Sequence, residues 1–166
     1  DLGVFGARSF SNGIENLPRA LSTISGAGPD VIQLNPGGFR TLQDSGLDGQ
    51  TTIAPRLDVT NVYEPRVVSK AWDTAHPAAL QDAQHPAVGC VVLNLLEIDG
   101  NAELQEQCVA NIQHIGALAR SAGVSLMVEP LVMTATSEGG HSSVSDPDRI
   151  ATLVRQAVEL GADIIK

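Results

Sequence analysis

At 166 residues, with 43% hydrophobic and 17% charged residues, the chain is long enough for one domain with a sizeable core. Its net charge of −9, with ten Lys and Arg residues scattered along it, excludes a nucleic-acid surface but not a local site for an anionic small molecule. No run of about 18 apolar residues is present to span a membrane.

Residues 1–6 read as the tail of a strand entering a glycine-rich loop. A short helix is predicted over residues 15–25, with Leu17, Leu21 and Ile24 on one face and Pro18 tolerated in the first turn. Gly26, Gly28 and Pro29 end it. Residues 30–34 form the next predicted strand, followed by Asn35-Pro36-Gly37-Gly38, which reads as a tight turn. Residues 39–43 are expected to make a single helical turn. A third strand is expected over residues 51–59, with Arg56 and Asp58 at its end. Pro55 removes a ladder donor there, so a bulge or a late start is expected.

The least regular pattern lies in residues 60–86. Residues 67–72 fit a strand or a helix, and residues 77–83 a helix; Lys70 is expected to be exposed. Residues 87–98 are almost continuously apolar, as a strand buried on both faces should be. Residues 101–122 carry the best helical periodicity, through Leu104, Cys108, Ile112, Ile115 and Ala119, and Gly123 closes it. A strand over residues 124–128 ends in Glu129-Pro130. Residues 134–145 read as a polar loop, with His141 as a candidate lid residue or plain surface. Asp146-Pro147-Asp148 is a strong helix start, the apolar face runs from Ile150 to Leu160, and Gly161 ends the helix before a strand over residues 163–166.

Strands alternating with helices predict parallel pairing. An open doubly wound sheet and a closed barrel compete, and no dinucleotide fingerprint follows the early strands. Polar residues recur at successive strand ends instead: Asp1, Asn35, Arg56 or Asp58, Asn94 or Glu97, Glu129 and Lys166. Such a ring is what the C-terminal face of a barrel carries. The expected fold is therefore an α/β (β/α)8 TIM barrel. Residues 1–166 form a single, incomplete domain of it, covering about five and a half βα units. The start at Asp1 without Met and the stop on a strand support that incompleteness. Asn35, Arg56 and Asn94 are candidate substrate-binding residues, with structural hydrogen bonding as the competing role. Cys90 and Cys108 match neither zinc nor redox spacing and read as buried free thiols of a cytoplasmic protein. No metal-ligand cluster is visible, and neither metal nor cofactor is expected.

The stretch from Ser145 to Lys166 adds a family. Asp146-Pro147-Asp148, its helix and Gly161-Ala162-Asp163-Ile164-Ile165-Lys166 resemble the segment before the nucleophile in class I aldolases of the deoxyribose-phosphate aldolase superfamily. The resemblance is to the branch with archaeal fructose-1,6-bisphosphate aldolase, aminodeoxyheptulosonate synthase and tagatose-1,6-bisphosphate aldolase. It implies that Lys166 forms a Schiff base. Asp1-Leu2-Gly3-Val4 is similar to the first-strand Asp-His-Gly-Val of that branch, with Leu2 in place of the histidine, and implies an active-site role for Asp1. Where archaeal members offer a tyrosine as acid, Met127-Val128-Glu129-Pro130-Leu131 offers Glu129, as in the tagatose-bisphosphate pattern.

The expected activity is metal-independent cleavage or formation of a C–C bond in a phosphorylated ketose, by a homo-oligomer. A lysine imine gives the carbanion electrons a nitrogen sink, and Glu129 is placed to shuttle protons. Two alternatives remain: an isomerase or lyase using Glu129 without an imine, and a non-catalytic sugar-phosphate-binding barrel.

Overall fold

The computed structural model describes residues 14–47, 49, 51–61, 65–71 and 88–166. Asp1, the expected strand tail at residues 1–6 and the expected helix at residues 77–83 lie outside these.

Helix α1 spans Leu17–Gly26, with the Asn16 side chain accepting from the Arg19 N–H as its cap. Strand β1 follows at Val31–Leu34. The turn expected at Asn35 is instead the start of helix α2, Pro36–Asp44. Asn35 caps it, its Oδ1 accepting from the Gly38 N–H at 2.7 Å, and Pro36 opens the first turn. Two glycines do not break this helix because Phe39 and Leu42 are buried in one cluster with Leu21, Ile32, Leu34 and Ile53. Tertiary burial outweighs the weak propensity.

The single strand expected at residues 51–59 is two: β2, Thr52–Pro55, and β3, Asp58–Thr60. β2 runs parallel to β1, while β3 turns away to pair antiparallel with β4, Ser69–Ala71. Pro55 sits at the break rather than in a bulge. The Ile53 carbonyl and the Leu57 N–H both face β5, Cys90–Ile98, and bond to Gly89 and Val92. By alternation Pro55 faces the same way and has no N–H to offer. Accordingly β2 and β5 meet through separate bridges, Ile53 to Val88 and Arg56 to Val92.

Helix α3, Ala102–Ala122, runs between the Asn101 cap and Gly123 as predicted. Strand β6 is Ser125–Ala135, extending well beyond the expected end at Glu129. Leu126 and Val128 direct their backbone bonds to β8, Ile164–Ile165 and its flanks. Pro130 faces that same side, so its missing N–H interrupts no bond to β5. The polar segment after β6 is a hairpin rather than an open loop: β7, His141–Ser143, pairs antiparallel with the end of β6. Gly139 and Gly140 supply the positive φ values of 79° and 90° that its turn requires. Helix α4, Pro147–Glu159, is capped by Asp146. Gly161, at φ 94°, turns the chain into β8.

The parallel strands therefore lie side by side in chain order, β1, β2, β5, β6 and β8. This is an α/β, TIM-barrel-like arrangement. One face carries the helices: Ile32, Leu34 and Ile53 pack with α1 and α2, and Val91, Leu93, Leu126, Val128 and Ile165 with α3 and α4. The other face, reached by every second residue, carries a small apolar layer of Ala54, Cys90, Val92 and Met127. Cys90 and Cys108 are buried free thiols, and burial pushes the Cys108 thiol up to about 11, where it stays protonated. Among the described residues no helix is long and apolar enough to cross a membrane.

Candidate active site

Two residues further along the same face, the apolar layer becomes polar. Strand alternation carries Ala54 to Arg56, Val92 to Asn94 and Met127 to Glu129. The same alternation sets Gln33 opposite Ile32 and Leu34, and Lys166 opposite Ile165. Gln33 lies next to the end of β1, Arg56 and Lys166 just past the ends of β2 and β8, and Asn94 and Glu129 midway along β5 and β6.

Lys166 occupies the centre. Its Nζ is 3.1 Å from Glu129 Oε1 and donates to Gln33 Oε1 at 3.0 Å. Its own N–H bonds to the Val128 carbonyl, extending the β6–β8 ladder one residue beyond β8. The other Glu129 oxygen, Oε2, accepts a short hydrogen bond from Arg56 Nη2. Arg56 also reaches Asp58 Oδ1 at 3.4 Å. Asp58 in turn accepts from the Thr60 hydroxyl and, at 2.8 Å, from the Asn94 N–H.

Two carboxylates thus share one guanidinium, in different surroundings. Burial pushes the Asp58 carboxyl up despite Arg56, the Asn94 N–H and Thr60. For Glu129 burial also acts upward, but Arg56 and Lys166 together overcome it and hold the group below the usual carboxylate value. Glu129 is ionised at neutral pH, with Lys166 Nζ against one of its oxygens and the Arg56 guanidinium against the other.

The sequence-derived candidates separate clearly. Lys166, Glu129 and Arg56 meet in one network. Asn94 is buried beside them and binds Asp58 through its backbone. The side-chain oxygen of Asn35 caps α2. Arg56 faces two protein carboxylates, and its side chain is 8% exposed. Gln33 was not among the candidates, although it touches the lysine. Its signal was a single polar residue in the apolar strand Val31-Ile32-Gln33-Leu34, on the face opposite its helix-packing neighbours.

The family model of the DeoC/LacD family aldolases matches residues 1–166. An uncharacterized aldolase of Saccharolobus solfataricus is 27% identical over 158 residues, which is 93% of this chain and 56% of that protein. A Schiff-base-forming fructose-1,6-bisphosphate aldolase superposes with a TM-score of 0.64 at 20% identity, over 94% of this chain and 57% of its own. An archaeal fructose-1,6-bisphosphate aldolase gives 0.58 at 22% identity, over 95% and 56%. A Corynebacterium glutamicum protein of known crystal structure gives 0.67 at 13% identity, over 99% and 54%. The chain spans about half the length of each of these proteins.

Proposed function

The chain belongs to the DeoC/LacD aldolase family, and we propose that it acts as a class I aldolase in which Lys166 carries the substrate as a Schiff base and Glu129 moves the protons. The observation that carries this reading is the 3.1 Å contact between Lys166 Nζ, just past the end of β8, and Glu129 Oε1 on the neighbouring parallel strand β6. A half-buried carboxylate in contact with a lysine amine is placed to move protons to and from it during imine formation.

The steps balance with these two groups. Glu129 takes a proton from the Lys166 ammonium. The neutral amine attacks the substrate carbonyl, and a proton passes from nitrogen to oxygen to give a carbinolamine. Protonated Glu129 returns its proton to that hydroxyl, which leaves as water. The iminium ion forms and Glu129 is again a carboxylate. Glu129 then accepts the proton of the substrate hydroxyl beyond the bond to be cut. The C–C bond breaks, its electrons move into the iminium nitrogen as an enamine, and an aldehyde departs. Protonation of the enamine carbon and hydrolysis of the imine restore the enzyme. The nitrogen serves as electron sink, so the sequence of steps calls on no metal ion.

In this reading Arg56 holds Glu129 in place and in its charged form. Asp1, outside the described residues, is proposed as a second proton-handling group. The proposed substrate is a phosphorylated ketose, supported by the fructose-1,6-bisphosphate aldolases among the structural relatives. The proposed setting is a single domain within a closed (β/α)8 barrel.

The test is borohydride reduction of the full-length protein with dihydroxyacetone phosphate, followed by mass spectrometry, with free dihydroxyacetone and pyruvate alongside. A mass gain mapped to Lys166 is expected. Turnover with no adduct on Lys166 would overturn the reading.

A further inference from the structure

Gln33 is 7% exposed, yet its Nε2 has no hydrogen-bond partner among the described residues. Leaving a buried amide donor unpaired is costly, and few native groups do so without a reason. The orientation of the amide follows from chemistry. An ammonium has donors only, so the atom 3.0 Å from Lys166 Nζ must be the carbonyl oxygen Oε1. Nε2 is bonded to the same carbon as Oε1 and lies beside Lys166.

We propose that Gln33 takes part in imine formation, holding Lys166 through Oε1 and donating from Nε2 to the oxygen of the substrate carbonyl that Lys166 attacks. The proposal rests on the Schiff-base reading above. When Nζ bonds to the carbonyl carbon, the new nitrogen and the old oxygen share that carbon. The amide of Gln33 likewise presents its acceptor and its donor from one carbon. The two pairs match: the remaining Nζ proton donates to Oε1, and Nε2–H donates to the substrate oxygen, closing a hydrogen-bonded ring.

During attack the carbonyl π electrons move onto that oxygen, so the donor strengthens as charge builds there. Gln33 neither gives nor takes a proton. The oxygen receives its proton from Nζ, and Glu129 supplies the one with which it leaves as water. Gln33 and Glu129 approach Nζ from different strands, β1 and β6, so the substrate oxygen can be held by one while the other handles protons. A carboxylate at position 33 would provide the acceptor but no donor, and an apolar residue neither.

Oxygen exchange in excess of the spontaneous hydration exchange, measured in an enzyme-free control, isolates this step. Each passage through carbinolamine and imine replaces the carbonyl oxygen of the donor substrate with one from water, whether or not a C–C bond is cut. We would measure oxygen-18 entry from labelled water into dihydroxyacetone phosphate and into pyruvate, using full-length wild type, Gln33→Met and Gln33→Glu. Borohydride trapping would count the competent sites in each preparation. Exchange per competent site is expected to fall by about tenfold or more in both variants, with the adduct still on Lys166. A residue that merely fills space would lower the number of competent sites and leave the exchange per site unchanged. That result in either folded variant would overturn the role of Gln33. Wild type that neither exchanges nor traps would remove the Schiff-base reading itself, and this proposal with it.

Discussion

Lys166 and Glu129 face each other from neighbouring parallel strands, their Nζ and Oε1 atoms 3.1 Å apart, in a register continued from the pairs Met127–Ile164 and Val128–Ile165. The contact is therefore a product of strand alignment, and its partners respond to different perturbations.

Lys166→Ala should abolish the borohydride adduct and lower retro-aldol turnover by about a thousandfold or more. The lysine side chain is 35% exposed, so the fold should persist. Glu129→Gln should lower kcat by about 100- to 10,000-fold while still allowing slow trapping on Lys166. Steady-state kinetics and peptide mapping read both outcomes. Equal activity in Glu129→Gln and wild type would exclude Glu129 from proton transfer.

Arg56→Met should destabilise the protein by about 3–5 kcal/mol, because it leaves the buried Asp58 without its cation and the half-buried Glu129 with Lys166 alone. Urea unfolding measures this. If Arg56 were chiefly a substrate contact, the loss would appear in KM and the unfolding midpoint would hardly move.

Acid should act on the same network through Glu129. Its folded-state pKa lies below the unfolded value of 4.5. The folded state therefore binds this proton less readily than the unfolded chain. The stabilisation is complete above pH 4.5 and is lost as pH falls through the lower folded-state value. Asp58 has the opposite sign: its raised pKa makes protonation favour the folded state, so acid relieves its burial cost. Unfolding titrations of Glu129→Gln should lack the acid-side loss assigned to Glu129. An identical acid limb in wild type and variant would refute that assignment.

Asp163→Ala should cost about 1–3 kcal/mol and loosen the site together. The Asp163 carboxylate accepts from the Leu126 N–H at 2.9 Å, while its own N–H donates to the Leu126 carbonyl at 2.8 Å. This reciprocal pair starts β8 alongside β6, three residues before the lysine. Thermal unfolding and the borohydride trapping rate should fall in parallel. Normal trapping with lowered stability would mean that Lys166 is positioned without it.

Much of the fold could be read locally. The apolar periodicities of α1, α3 and α4, with the Asp146 cap of the last, mark these helices. The apolar run before Asn101 marks β5. The reading failed where a local breaker met a long-range compensation. Gly37 and Gly38 suggested a turn, but burial of Phe39 and Leu42 makes a helix of it. Pro130 suggested a strand end, but its missing N–H faces away from β5. The candidate site was partly legible for the same reason. Polar residues ending apolar strands drew notice at Arg56, Glu129 and Lys166, whereas Asn35 stood just past its strand and became a helix cap. Gln33 was hidden by lying within its strand.

Residue order alone carries the sequence of strands and helices, the alternation of faces and the family motif, because these depend on neighbours within a few positions. Partnership is another matter. Gln33 and Lys166 are 133 residues apart, and Arg56 and Glu129 are 73 apart. Their meeting depends on which strands lie adjacent and in what register. Those quantities arise only when the sheet has packed against its helices, because a shift of one residue would turn each of these side chains to the opposite face.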